Sequence, residues 1–132
     1  MRTSKYFEIA IGRGVLATVD ADGIVDIFLC PRPHVVDEET VAFLITDKTT
    51  HQNLQYNPRA TYLFLEEGPE FSGRRLYLTK LREEREGETI EAIRTTIYPE
   101  LREKIEALVY FRVDEVLPLT GERESKQSFI PA

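Results

Sequence analysis

The pattern of apolar and polar positions predicts a protein built mainly from β-strands. Alternating or β-branched apolar runs predict six strands, at 15–19, 24–30, 41–46, 59–66, 74–86 and 107–117. Asp20-Ala21-Asp22-Gly23 is typical of a tight turn, so we expect the first two strands to form a hairpin. The run at 41–46 is almost wholly apolar, which predicts a strand buried on both faces.

Helical patterns occur at the start of the chain and before the last strand. The apolar residues within 1–14 predict an N-terminal helix that Gly12 and Gly14 terminate. Apolar residues at helical spacing predict two helices within 90–108. Pro99 suits the first turn of the second of these better than the interior of one long helix.

A short central helix and a polar tail complete the predicted elements. The helix spans about 50–56, and Thr49 with Gln52 fits a capping box at its start. Residues 118–132 are polar and predict a C-terminal tail, so 1–132 is expected to be one domain. Six strands with few helices between them favour a mainly β fold with flanking helices, a six-stranded antiparallel barrel with Greek-key connections.

Charge and composition exclude several classes of function. Seventeen basic against 23 acidic residues give a net charge of −6, which disfavours nucleic acid as a partner. Cys30 is the only cysteine, so an intrachain disulfide and a multi-cysteine zinc site are excluded, and no metal site is expected. No apolar run approaches the length of a membrane span, and the charged N-terminus is unlike a signal peptide. These features predict a cytoplasmic protein without a membrane partner.

The segment between the third strand and the central helix carries the clearest chemistry. A buried strand ends at Thr46, and a polar turn with Lys48 leads directly into a helix N-terminus. Unpaired N–H groups and the helix dipole make such a start able to bind phosphate, with Thr46, Thr49 and Thr50 as further donors. The alternative is a capped helix with an exposed lysine. The segment is not a P-loop, because the Gly-x-x-x-x-Gly-Lys pattern is missing.

Two motifs together resemble one known family. The first is the hairpin Val15-Leu16-Ala17-Thr18-Val19-Asp20-x-Asp22-Gly23-x-x-Asp26. The second follows the buried strand and reads Asn53-Leu54-x-x-Asn57-Pro58-Arg59-Ala60. Both resemble the pyridoxamine 5′-phosphate oxidase-like split β-barrels, most closely their small FMN-binding proteins. The resemblance covers about residues 5–117 and implies an FMN-binding split-barrel fold.

The resemblance implies a homodimer with FMN at the subunit interface. The phosphate would be bound by Thr46, Asp47, Lys48, Thr49 and Thr50, and Asn53 would brace the turn from the helix. The isoalloxazine ring would lie along Phe28, Leu29, Cys30, Pro31 and Arg32, with Arg32 near its pyrimidine side or the phosphate. The partner subunit would close the site with the strand at 74–75 or the Tyr98 region. The implied activity is electron or hydride transfer through the flavin to an unknown small-molecule or protein partner.

Departures from the family keep other hypotheses open. His51 stands where many members carry a lysine, which would weaken phosphate binding. His51 is alternatively a polar residue on the exposed helix face, and His51 or His34 is the axial ligand required if the cleft binds haem or another anionic ligand without turnover. A third hypothesis is a structural dimer that has lost its cofactor. The Arg- and Trp-bearing C-terminal motif of true pyridoxamine phosphate oxidases is missing, so vitamin B6 oxidation is not expected. No catalytic side chain is identified, which is compatible with a cofactor that carries the chemistry.

Overall fold

The computed structural model describes residues 3–121. Within that range the chain forms seven strands, three α-helices and one 3₁₀ helix. The elements follow in the order α1 (Thr3–Ile9), β1 (Gly12–Val19), β2 (Val25–Cys30), β3 (His34–Val35), β4 (Thr40–Ile45), α2 (Lys48–Tyr56), β5 (Arg59–Glu66), β6 (Gly73–Glu84), α3 (Glu88–Arg94), the 3₁₀ helix (Pro99–Lys104) and β7 (Ala107–Pro118).

All seven strands belong to one antiparallel sheet in the order β2-β1-β5-β6-β7-β4-β3. The sheet curls around a core that contains Leu16, Phe43, Tyr62 and Phe111 from four different strands. The mainly β antiparallel fold is thus confirmed, but the predicted number of six strands is wrong. The seventh strand is β3, whose two residues pair with Val41 and Ala42 and are too few for a periodic pattern.

The prediction that the third apolar run is buried on both faces is confirmed. Residues 41–45 of β4 and 107–111 of β7 are all buried. One face of these two strands lines the barrel core, and the other is covered by a second cluster that includes Ile90 of α3. Double coverage explains why neither buried segment alternates between apolar and polar residues.

The glycines near the N-terminus do not end a helix. α1 ends at Ile9, and Gly12 and Gly14 lie within β1 instead. A Cβ atom built on Gly14 would lie 2.3 Å from the buried Tyr62 hydroxyl, and one on Gly12 would lie 2.1 Å from the Leu65 carbonyl oxygen. These glycines are therefore required for close packing between β1 and β5, and not for a turn.

The predicted pair of helices before the last strand is shorter than its apolar spacing indicated. α3 ends at Arg94, and Pro99 begins a 3₁₀ helix, as its place in a first turn predicts. Leu108 belongs to β7, where it pairs with Leu44. Of the predicted tail, 118–132, residues 122–132 lie outside the described residues. No helix within residues 3–121 is long and apolar enough to cross a membrane.

Candidate functional site

The start of α2 is capped by an acidic residue. Asp47 is the N-cap, and its carboxylate accepts hydrogen bonds from the Thr50 backbone N–H at 3.0 Å and the Thr50 hydroxyl at 2.7 Å. The expected capping box of Thr49 and Gln52 is therefore wrong, because the helix begins two residues earlier. Thr50 is fully buried, whereas Lys48 and Thr49 are exposed to solvent.

A polar network joins this turn to the β1–β2 hairpin. Asp26 of β2 lies beneath α2, with its carboxylate 3.3 Å from the Thr50 hydroxyl. Burial raises the pKa of Asp26, and the neighbouring Asp47 carboxylate raises it further. Asn53 donates to the Thr18 hydroxyl at 3.1 Å, so it braces α2 against β1 rather than bracing the turn.

His51 faces the protein interior. Its side chain is 5% exposed, and its Nε2 lies 3.1 Å from both carboxylate oxygens of Glu83 on β6. Its Nδ1 lies 3.6 Å from Glu106. The prediction of a polar residue on the exposed helix face is therefore wrong. A phosphate contact would require His51 to leave these carboxylates.

Glu83 is the centre of the cluster that holds His51. Burial alone would raise the pKa of Glu83, but hydrogen bonds from Lys80, Gln55 and His51 outweigh burial and lower it to about 2. The charged end of β6 therefore makes specific contacts with α2. The contact between Glu83 and His51 holds β6 against α2, although the two residues are 32 positions apart in sequence.

The predicted ring-binding residues divide between two faces of β2 and the loop that follows. Leu29 is 68% exposed on the outer side of the sheet, whereas Cys30 is buried in the core and Phe28 packs against it. Burial raises the pKa of the Cys30 thiol, which keeps it protonated. Pro31 and Arg32 are exposed, and Arg32 donates to the Ala10 carbonyl at 2.6 Å.

Arg32 and the start of α2 lie at opposite ends of β2. Asp26 contacts Thr50, and Cys30 lies four residues later in the same strand, about 13 Å away at the strand rise. Arg32 instead borders a cavity of about 530 Å³, which we call the Arg32 groove, whose lining includes Phe7, Pro33, His34, Val35 and Val36. The fold therefore keeps Arg32 away from the predicted phosphate turn.

One side of the sheet exposes a largely apolar surface, which we call the outward face. On edge strand β2, Val25, Ile27 and Leu29 are 65%, 61% and 68% exposed. They pair with Val19, Ala17 and Val15 of β1. The same face continues over β5 and β6, where Leu63, Leu65 and Tyr77 lie among Thr61 and Arg75. An exposed apolar patch of this kind, widest on β2 and β1, marks a contact site for a partner or a ligand.

A second cavity opens on this face. Its volume is about 390 Å³, and its lining includes Ala17, Val19, Val25, Arg59 and Tyr77. We call it the Tyr77 groove. Thr18 also lines it and accepts the hydrogen bond from Asn53, so the groove adjoins the network beneath α2. Within residues 3–121, no three His, Cys, Asp or Glu side chains are grouped so that they could hold a metal ion.

The sequence matches no family model and no curated protein. Its structure is nevertheless similar to several solved ones. An FMN-binding protein from Syntrophomonas wolfei subsp. wolfei aligns with a TM-score of 0.75 and 17% identity, over 92% of this chain and 86% of the other. A candidate pyridoxamine 5′-phosphate oxidase from Lactobacillus delbrueckii aligns with a TM-score of 0.63 and 19% identity, over 86% and 88%. HutZ, a haem storage protein from Vibrio cholerae, aligns with a TM-score of 0.62 and 19% identity, over 89% and 94%.

The chain has the split-barrel fold of the pyridoxamine 5′-phosphate oxidase-like proteins. The resemblance recognised in its two sequence motifs is thus confirmed at the level of fold. One of these neighbours is an FMN-binding protein, and another is a haem storage protein.

The predicted phosphate turn of this split barrel does not fit a phosphate well. Asp47 already accepts from the helix start, and Asp26 adds a second carboxyl group beside it. Of the predicted phosphate ligands in this turn, Lys48 and Thr49 are exposed to solvent.

Several residues of the site were not identified as such from the sequence. Glu83 and Glu106 surround His51, and Asp26 lies beneath α2. The sequence does mark Asp26 as unusual. It lies on the same inward face of β2 as Phe28, where the alternation of the strand predicts an apolar residue. The acidic partners of His51 had no such signal, since they come from distant segments.

Proposed function

We propose that this protein is a homodimeric flavoprotein, with FMN as the flavin that the resemblance implies, which serves as an oxidoreductase or an electron-transfer protein. The flavin would supply the redox chemistry, and the chain would supply its binding and orientation. The partner that delivers or accepts electrons is an unknown small molecule or protein.

The outward face is the observation that carries this proposal. Val25, Ile27 and Leu29 expose more than half of each side chain on one side of an edge strand. A second copy of the chain would cover this surface with the same surface of its own, as a two-fold dimer requires. The Tyr77 groove is open in one chain, so the second copy would also enclose it.

The enclosed groove suits a flavin ring. Ala17, Val19 and Val25 provide an apolar lining, while Arg59 and Tyr77 provide polar groups at its border. A volume of about 390 Å³ falls within the range of small-molecule sites, about 300–1,000 Å³. Leu29 extends the same apolar surface toward the segment where the ring was expected from the resemblance.

Absorption spectroscopy tests the proposal directly. Purified protein is mixed with FMN, excess flavin is removed on a desalting column, and the visible flavin bands of the retained fraction are measured. We expect stoichiometric retention by the wild type and reduced retention by Tyr77→Ala, because Tyr77 borders the groove.

The matched control is Tyr56→Ala, which truncates an exposed tyrosine of α2 outside the groove and should retain as much flavin as the wild type. Failure of the wild type to retain flavin would contradict the proposal. Equal losses in both variants would contradict the assignment of the groove.

A haem-binding function is the second candidate, because His34 and Arg32 both border the Arg32 groove. Desolvation of the imidazole by the surrounding protein and the charge of Arg32 both lower the pKa of His34. A lowered pKa favours the neutral ring, which is the form that binds a metal. Arg32 is a cation that could pair with a haem carboxylate. His34 is thus better placed as an axial ligand than His51, which is buried against Glu83.

Haemin titration separates the two histidines. If the haem hypothesis is correct, the wild type develops a shifted Soret band that His34→Ala abolishes and His51→Gln retains. Loss of the band in His51→Gln alone would contradict the role of His34. Absence of any shifted band in the wild type would remove haem as a candidate ligand.

A further inference from the structure

The two carboxyl groups at the start of α2 are held in place by the protein itself. Asp47 accepts from two groups of Thr50, the backbone N–H and the hydroxyl. The Asp26 carboxyl group lies 3.3 Å from the same hydroxyl, and Thr50 is fully buried. Neither carboxyl group is therefore a freely moving surface side chain that would swing aside for a ligand.

The position of Asp26 is fixed by β2 and not by the loop. It pairs in register with Thr18 of β1, whose hydroxyl accepts from Asn53 of α2. The hairpin and the helix are thus joined both at Asp26 and at Thr18. Moving Asp26 away from the helix start would disturb this buried packing.

This arrangement reverses the usual electrostatics of a helix N-terminus. The exposed N–H groups and the positive end of the dipole favour an external anion there. Here Asp47 is an internal anion that accepts from the Thr50 N–H, and Asp26 adds a second acidic group close by. Lys48 is one exposed cation against this acidic pair, so the helix start offers a phosphate dianion little net positive charge.

We infer that Asp26 and Asp47 exclude phosphate from the start of α2, so that the flavin site recognises the isoalloxazine and ribityl parts of its ligand and does not prefer FMN over riboflavin. The identity of the ligand in this inference rests on the proposed flavin function. The exclusion of phosphate rests only on the geometry of α2 and β2.

Comparison of FMN with riboflavin tests the specificity. Dissociation constants are measured by quenching of flavin fluorescence, at neutral pH and constant ionic strength, for the wild type and for Asp26→Asn with Asp47→Asn. Asparagine keeps the N-cap hydrogen bond while it removes the charge. We expect similar constants for both flavins in the wild type and FMN binding at least about tenfold tighter than riboflavin in the double variant.

The control for overall charge is Asp22→Asn with Glu86→Gln, which removes two exposed carboxylates elsewhere and should leave the FMN-to-riboflavin ratio unchanged. A wild type that binds FMN at least about tenfold tighter than riboflavin would overturn the inference. A double variant with no gain for FMN would overturn it as well.

Inorganic phosphate provides a test that needs no flavin. Backbone amide chemical shifts of residues 48–50 are followed by NMR during titration with phosphate, with chloride at equal ionic strength as the reference. We expect no saturable shift in the wild type and a saturable shift in the Asp26→Asn, Asp47→Asn variant.

The two experiments separate the inference from the proposed function. If neither flavin binds, the flavoprotein proposal fails, while the phosphate titration still decides whether the carboxyl groups exclude the anion. Saturable shifts of these amides in the wild type would overturn the inference. Absence of such shifts in both proteins would also overturn it, because the carboxyl groups would then not be the cause.

Discussion

Replacing Ile27 by lysine tests whether the outward face joins two copies of the chain. Ile27 lies at the centre of β2, is 61% exposed, and has exposed apolar neighbours at Val25 and Leu29 on the same side. Lysine is tolerated on an exposed edge strand, so the isolated chain should fold as before. In a dimer formed through this face, however, two lysines would have to be buried or the contact would be lost.

The magnitude follows from the exposed fraction of the side chain. Burying a whole isoleucine contributes about 1.5–3 kcal/mol, so the 61% that is exposed in one chain corresponds to about 1–2 kcal/mol. A two-fold dimer contains the residue twice, which gives about 2–4 kcal/mol. The dissociation constant of the dimer should therefore rise by about 30-fold to 1,000-fold, before any cost of burying the charge.

Sedimentation velocity over a range of concentrations measures this constant. We expect the wild type to sediment as a dimer and Ile27→Lys to dissociate at concentrations where the wild type does not. The matched control is Val36→Lys, since Val36 is 52% exposed but follows β3 at the other edge of the sheet. A monomeric wild type, or equal dimer stability in Ile27→Lys, would refute the reasoning.

Three further predictions concern the supports of the site. The lowered pKa of Glu83 contributes stability that is present above pH 4.5 and is lost as the pH falls toward about 2. Between pH 4.5 and about 2, Glu83→Gln should therefore lose about 2 kcal/mol less of its free energy of unfolding than the wild type, after allowance for solvent screening. Free energies from urea unfolding that fall equally with pH in both proteins would contradict this. Gly14→Ala should cost about 1–3 kcal/mol in urea unfolding, because its Cβ would collide with the buried Tyr62, and an unchanged midpoint would show that the strands can separate. A double-mutant cycle of Asn53→Ala with Thr18→Val should give a coupling of about 0.5–1.5 kcal/mol, whereas additive effects would mean that their hydrogen bond does not stabilise the fold.

Local patterns in the sequence were sufficient for most of the elements. The alternation along β1 and β5 and the uninterrupted apolar run of β4 are properties of adjacent residues, and each predicted strand is present. β3 was not counted as a strand because two residues carry no period, and its existence depends on pairing with β4. Gly12 and Gly14 were assigned to a helix end because their true partners, Leu65 and Tyr62, are distant in sequence.

The resemblance carried by the two motifs identified the fold, but tertiary contacts decided the character of the site. The turn at 46–50 has the composition of an anion site, and only the packing of β2 under α2 brings Asp26 to it. Histidine is a residue type that often binds anions or haem, and only the approach of β6 buries His51 against Glu83. In each case the deciding partner comes from a strand at least 21 residues away, so the charge and exposure of the site depend on long-range packing that adjacent residues do not encode.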